Sequence, residues 1–185
     1  MKTNTIALQS VTKVIGLGKT TSTQSLARSL SLLETHGTLI LACQQTEAFD
    51  RFGKKFPAGD GGIYFTLILK PSIKFSLESL TRAMQNAVAD TLQNIFELKT
   101  KITAEGDVLT WDKSSRNYKK IAGILVEENE TGSYLVGCGI FLNNKITGAF
   151  QNSCISLKKI IGSDTSKELF LDEVLNNFWK EYSFL

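Results

Sequence analysis

The sequence predicts an α+β fold, a mainly antiparallel mixed sheet covered by helices on one side. Short apolar segments follow one another at 101–112, 119–128 and 133–142 and are joined by turn-forming residues, as in hairpins. Helical periodicities stand before and after this run rather than between every pair of strands. The regular strand–helix alternation of a doubly wound parallel fold is missing.

In chain order, Ser22 and Thr23 cap a helix whose Leu26, Leu30 and Leu33 recur at helical spacing, ending near His36-Gly37. Residues 37–43 (GTLILAC) read as a buried strand bounded by glycine and glutamines. A polar, basic, glycine-bearing stretch, 45–62, then leads into a second strand, GIYFTLILK (62–70), which Pro71 terminates. Leu77, Leu80, Met84, Ala87, Val88, Thr91, Leu92 and Ile95 trace one face of a long helix, capped by Ser76 with Glu78 in its first turn. KITAEGDVLTWD alternates like a strand or a hairpin turning at Glu105-Gly106-Asp107. Strands 119–128 and 133–142 are joined by Asn129-Glu130-Thr131-Gly132, a four-residue hairpin loop. Thr165 with Glu168 forms a capping box for a last helix that buries Leu171, Val174, Leu175, Phe178 and Tyr182.

The 185 residues suit one compact domain. The 21 basic and 18 acidic side chains are too balanced to argue for nucleic acid. Cys43, Cys138 and Cys154 are widely spaced among apolar neighbours and read as small buried hydrophobes of a reducing compartment. With a single histidine, His36, no zinc-ligand cluster is visible. No stretch reads as a secretory leader, and none approaches the roughly 20 apolar residues of a membrane helix, so a cytoplasmic protein is expected.

The chemistry-bearing candidates each have a plainer alternative. Alternation places Lys120 on the face of Ala122, Ile124 and Val126, where it can hold a carboxylate or phosphate as a point charge. A solvated lysine pair entering a strand fits the same residues. Gly123 would let a flat ligand approach the backbone, and Gly137 with Gly139 hint at something lying close to the neighbouring strand; a bulge or twist is the alternative. Thr21-Ser22-Thr23-Gln24 can offer hydroxyls at a helix start, or simply cap it. Arg51, Lys54 and Lys55 can attract phosphate or be a solvated loop. That loop is neither a Walker loop nor a dinucleotide fingerprint: the GxxxxGK[ST] pattern is absent, and its glycines precede a strand rather than follow one.

Taken in order, these pieces resemble the catalytic domain of biotin protein ligases, within the biotin/lipoate ligase superfamily, from about residue 12 onward. Ser22-Thr23-Gln24 matches the family's Ser-Thr-Asn/Gln helix start, and Gly37–Ala42 followed by Gln45-Thr46 matches its strand and Gln-Thr. Lys120-Ile121-Ala122-Gly123-Ile124-Leu125-Val126-Glu127 is similar almost residue for residue to the family's Lys-(Ile/Leu)-Ala/Gly-Gly-Ile-Leu-(Ile/Val)-Glu, and Gly137-Cys138-Gly139-Ile140 to Gly-Ile-Gly-Ile.

The resemblance implies a class II synthetase-like sheet and a two-step reaction. ATP and biotin condense to biotinyl-5′-AMP, and biotin passes to a lysine of a carboxylase carrier domain. It implies that Ser22, Thr23, Gln24 and Gln45 hold biotin, with Gly123 and Gly137 packed against it. Lys120 and Arg51 are the implied catalytic cations, and Arg51, Lys54, Trp111 and Asn143 the nucleotide-binding residues. Magnesium is expected with ATP, without an assigned protein ligand. Neither a nucleic acid nor a membrane is an expected partner, and a homodimer is open. One catalytic domain over 1–185 is expected, with no N-terminal DNA-binding domain and no C-terminal small barrel.

Departures cluster on the nucleotide side. Ala48-Phe49-Asp50-Arg51 stands where the family has Gly-Arg-Gly-Arg, with Gly53-Lys54 continuing it; Thr110-Trp111-Asp112-Lys113 replaces Lys-Trp-Pro-Asn-Asp; Phe141 replaces an asparagine. Two alternatives follow: a biotin-binding homologue that has lost adenylation, and a lipoyl or octanoyl transferase of the same superfamily.

Overall fold

The computed structural model describes residues 10–185, and its elements are those of an α+β domain. In chain order these are β1 (Lys13–Thr20), α1 (Thr23–Leu30), β2 (Thr38–Gln45), β3 (Ile63–Leu69), α2 (Leu77–Phe96), β4 (Thr100–Ile102), β5 (Asp107–Asp112), β6 (Asn117–Glu128), β7 (Tyr134–Ile140), α3 (Leu157–Ile161) and α4 (Lys167–Tyr182). The strands form one seven-stranded sheet in the order β1-β2-β3-β7-β6-β5-β4. Only β1 and β2 pair in parallel; every other neighbouring pair is antiparallel. The mixed, mainly antiparallel sheet therefore stands as expected.

Helices lie on both faces of the sheet, not on one. Leu39, Leu67, Val136, Ile124 and Val126 pack with Leu80, Met84 and Val88 of α2 and with Leu171, Val174 and Phe178 of α4. The alternate residues Ile40, Ile68 and Leu135 pack against Ala27 of α1. Period-2 alternation on the central strands thus reads apolar on both faces, which is why β3 and β7 are buried at every position.

Caps and turns explain most boundaries. Ser22 Oγ accepts from Ser25 N, and Ser76 Oγ from Ser79 N. The helix α1 is shorter than its leucines suggest: it stops at Leu30, and Leu33 is exposed, while Leu26 and Leu30 are half-buried. At the ends of α2, Leu77 and Ile95 are likewise exposed, though the residues between them on the same face are buried. The capping box at α4 does not form. Ser166 is its N-cap, accepting from Leu169 N, while Thr165 is held by Asn143 through paired backbone–amide hydrogen bonds. Strand β1 carries no clear periodicity in the sequence because it is a half-exposed edge. The hairpin β4–β5 turns at Gly106 (φ +90°), where a Cβ would stand 2.5 Å from the Ile124 carbonyl oxygen. Cys138 and Cys154 are buried as expected, and burial pushes both thiols up; Cys43 is exposed, correcting that expectation.

Candidate functional site

A cleft runs across the α1-side face of β3, β7 and β6, and its chemistry changes from end to end. At the α1 end lies a polar recess. The Thr23 backbone N–H donates to Gln45 Oε1 at 2.7 Å, and the Thr23 hydroxyl reaches the same oxygen at 3.1 Å. Thr66, buried at the centre of β3, places its hydroxyl 3.0 Å from Thr23 Oγ1 and 3.1 Å from Gln24 Oε1. Gln24 Nε2 donates to Glu127 Oε2 (2.8 Å) and to the Leu135 carbonyl (3.1 Å), and Glu127 is in turn paired with Arg28. Each amide and hydroxyl taken out of water here finds a partner, so the recess stays polar without an unmet desolvation cost.

The middle of the cleft is set by a register shift. Val108 pairs with Ala122 but Leu109 pairs with Lys120, so Ile121 is an extra residue in β6. One inserted residue reverses the alternation. Ile121 and Ala122 both enter the α2-side core, and Lys120 comes to the face of Gly123. This corrects the placement of Lys120 beside Ala122, Ile124 and Val126. A Cβ on Gly123 would meet Lys120 Nζ at 3.0 Å. The segment around Cys154 brackets the bulge: Lys120 N donates to the Ser153 carbonyl and Ile155 N to the Lys120 carbonyl. Lys120 Nζ lies 2.6 Å from Asp107 Oδ1 and 5.3 Å from the Phe56 ring centroid.

The far end is aromatic. Phe56 stacks on Phe141 (5.0 Å between centroids, 12° between planes) and meets Tyr64 edge-on. Its ring lies over two glycines: added Cβ atoms would stand 3.0 Å from it at Gly123 and 2.6 Å at Gly139. Gly137 is covered by Gln24, whose Oε1 would be 2.4 Å from a Cβ there. The close approach that mid-strand glycines suggested is thus made by the protein's own side chains. With Phe56 in place the cavity is about 50 Å³.

Phe56 is delivered by a small hairpin within 45–62. Phe49 bridges Lys55, Asp50 N donates to the Lys54 carbonyl, and Asp50 Oδ1 accepts from Phe52 N and Lys54 N. Asp50, an unwelcome anion by charge alone, is the residue that closes this turn.

The structure brings Ser22, Thr23, Gln24, Gln45, Lys120, Gly123 and Gly137 together around this cleft. It does not bring Arg51, Lys54, Trp111 or Asn143 to it. Arg51 reaches sideways to the Ala104 carbonyl in a neighbouring groove. Lys54 is exposed on the hairpin. Trp111 packs edge-on to Tyr118 at 5.1 Å, and both the NH2 and the oxygen of the Asn143 side-chain amide are engaged by the Thr165 backbone. Sequence reasoning missed Thr66, Phe56 and Asp107. Thr66 was signalled only as a lone threonine in a strand of aliphatic and aromatic residues. Beside Asp107, Glu105 also lines the rim.

A slot of this kind, polar at one end and carrying one lysine midway, suits a small molecule that bears an anionic group. Residues 17–144 match the model of the biotin/lipoate A/B protein ligase family, and the chain belongs to that family. It is similar to a biotin protein ligase from Aquifex aeolicus solved in complex with biotin and ATP, with 26% identity over 93% of this chain and 71% of that one and a TM-score of 0.82. It shares its fold with a biotin protein ligase from Leishmania major in complex with biotinyl-5-AMP (18% identity, 92% and 73% covered, TM-score 0.68). It also shares it with an archaeal bi-partite lipoate protein ligase from Thermoplasma acidophilum (14% identity, 92% and 84% covered, TM-score 0.61). Among the described residues no helix is long and apolar enough to cross a membrane.

Proposed function

We propose that this chain is a biotin protein ligase, joining biotin to ATP as biotinyl-5′-AMP and passing the biotinyl group to a lysine of a carboxylase carrier domain. The observation that carries the reading is the single cleft holding both a hydrogen-bonding recess and Lys120. A ureido ring presents one carbonyl acceptor and two N–H donors. Gln45 Oε1 is engaged by Thr23, which leaves the Gln45 NH2 group to donate. Ser22 Oγ accepts from Ser25 N and keeps its own proton for a ligand carbonyl. A chain running from the recess toward Lys120 places the carboxylate at the ammonium. The carboxylate oxygen attacks the α-phosphorus, the bond to the β-phosphate breaks, and pyrophosphate leaves, while Lys120 stabilises the negative charge that gathers on the phosphoryl oxygens.

Among the described residues no three His, Cys, Asp or Glu side chains are grouped to hold a metal, so magnesium would be carried mainly on the nucleotide phosphates. For the nucleotide itself, Arg51, Lys54, Trp111 and Asn143 stay candidates by resemblance; each would have to approach the cleft from where it now sits.

A second reading, transfer of a lipoyl or octanoyl group, is favoured by the apolar Phe56–Phe141 end. The test incubates the protein with ATP, biotin and a biotin carboxyl-carrier domain and follows biotinyl-adenylate by mass spectrometry and carrier biotin by streptavidin blot. Both products are expected, and lipoate should compete poorly. Biotin binding that ATP does not tighten, with no adenylate, would make the chain a binding protein. Preferential use of lipoate would favour the second reading.

A further inference from the structure

Two glutamines flank the polar recess, and their amides face it with opposite ends. Gln45 Oε1 accepts both the N–H and the hydroxyl of Thr23, so the Gln45 NH2 group is the end left for a ligand. In Gln24 the NH2 group is the end already engaged. It donates to Glu127 Oε2 at 2.8 Å and to the Leu135 carbonyl at 3.1 Å, and neither acceptor has a proton to return. Glu127 and Leu135 pair across β6 and β7, and Arg28 Nη2 holds both oxygens of the carboxylate, at 2.9 and 2.8 Å. A turned Gln24 amide would set its oxygen against a carboxylate and a carbonyl, so Oε1 is held toward the cleft. That oxygen lies over Gly137, and among the described residues the Thr66 hydroxyl, 3.1 Å away, is its one donor. Of its two lone pairs, one is left for a ligand, on a side chain that is only 5% exposed.

We propose that Glu127, held by Arg28, is a positioning residue that makes the recess select a ring N–H. This deepens the ligase reading above and rests on it. With the Gln24 amide fixed, the recess offers an acceptor from Gln24 on one side and a donor from Gln45 on the other. A ring in which N–H adjoins C=O, as in a cyclic urea, meets both. A ring with oxygen in place of that N–H sets a lone pair against Gln24 Oε1. The Glu127 carboxylate also polarises the amide from behind, which strengthens Oε1 as an acceptor. Glu127 does not line the cleft, so its effect on a ligand is exerted through Gln24.

The experiment titrates the full chain, by calorimetry, with biotin and with its two cyclic carbamate analogues, each carrying oxygen in place of one ring N–H. The unaltered chain is expected to prefer biotin over at least one analogue by about 10–100-fold, the size of one unmatched buried group. The charge-swapped pair Arg28→Glu with Glu127→Arg keeps the ion pair but sets a donor against Gln24, which turns its amide. The preference is then expected to fall by about 10-fold or more, as biotin binds less tightly and the analogue more tightly. Glu127→Gln, of nearly the same volume, should give a smaller fall in the same direction, and it carries the test if the swapped pair does not unfold cooperatively. An unchanged preference, or an equal weakening of both ligands, overturns the role of Glu127, while biotinyl-adenylate formed by the unaltered chain keeps the ligase reading intact. If the unaltered chain binds neither biotin nor the analogues, both fall together.

Discussion

The two ends of the cleft solve the burial problem in opposite ways. At the α1 end, Thr23, Gln24, Gln45 and Thr66 are hydrogen-bonded to one another across three elements, so that end is rigid and polar. At the far end, Phe56, Tyr64 and Phe141 close the floor by stacking, and nothing there asks for a hydrogen bond except the Tyr64 hydroxyl, which donates to the Gly59 carbonyl. Burial raises the Tyr64 hydroxyl well above its ordinary range, so it stays a neutral donor. The polar end can discriminate, since a ligand lacking matched donors leaves buried groups unpaired. The aromatic end can only select by shape. Lys120 sits at the junction, and its charge belongs to neither.

The largest break falls at that junction. Lys120→Ala is expected to lower adenylate formation by about 10²–10³-fold, the loss seen when one preorganised charge-stabilising donor is removed. Pyrophosphate exchange measures it. Thermal unfolding should still be cooperative, because the side chain supports no part of the core. Normal exchange in this variant would remove Lys120 from the chemistry and, with it, the distinction between the two ends.

Phe56→Ala tests the aromatic end. Removing a buried Phe costs about 3–5 kcal/mol in a core; here the ring is carried on a hairpin, and a loss of about 3 kcal/mol is expected by urea unfolding. The glycine floor would be uncovered at the same time. A stability change below about 1 kcal/mol would mean that Phe56 does not hold the 45–62 hairpin in place.

How much of this was legible in the sequence differs between the same two ends. The glutamines, the Ser-Thr pair and Gly137 announce the polar end, because they face the cleft by simple alternation or from the helix start. The face of Lys120 was not legible, since one unpaired residue, Ile121, reverses the alternation and leaves no mark in composition. Phe56 was hidden for another reason: an aromatic in a polar loop has no period, and its burial depends on a turn closed by Asp50. Asp107 read as a hairpin residue, and its partner across the strands becomes visible only with the register. The helix α1 was legible, but not its end or its place on the second sheet face, because it buries little apolar surface beyond Ala27 and its leucines misstate its length.

Gln24→Ala tests the polar end more gently. It leaves Thr66 Oγ1 with Thr23 alone, removes a donor from Glu127, and frees the Leu135 carbonyl. An unsatisfied buried group costs about 1–3 kcal/mol, which should appear as lower stability and as a higher KM for the small ligand at little changed kcat. Gln24→Asn, shorter but able to make one of these bonds, should recover part of both. Loss of kcat alone would place Gln24 in the chemistry instead.

The smallest effect lies outside the cleft and controls for it. Burial alone would raise the Asp112 carboxyl, but hydrogen bonds from Ser114, Ser115 and Lys119 outweigh it and hold the group well below the usual carboxylate range. A group whose folded-state pKa is depressed contributes stability above its unfolded pKa, about 3.9, and loses it as pH falls below that value toward the folded one. Asp112→Asn should therefore cost about 1–2 kcal/mol at pH 7, through weaker neutral hydrogen bonds. The gap from the unaltered chain should narrow steadily in urea titrations taken from pH 5 downward. Adenylate formation should follow the stability loss and nothing more, because Asp112 and Lys119 form their own pair at the hairpin end of β5 and β6. A gap that stays constant through the acid range would show that the carboxylate is not the stabilising form, and a specific loss of activity would extend the functional site past Lys120 toward that hairpin.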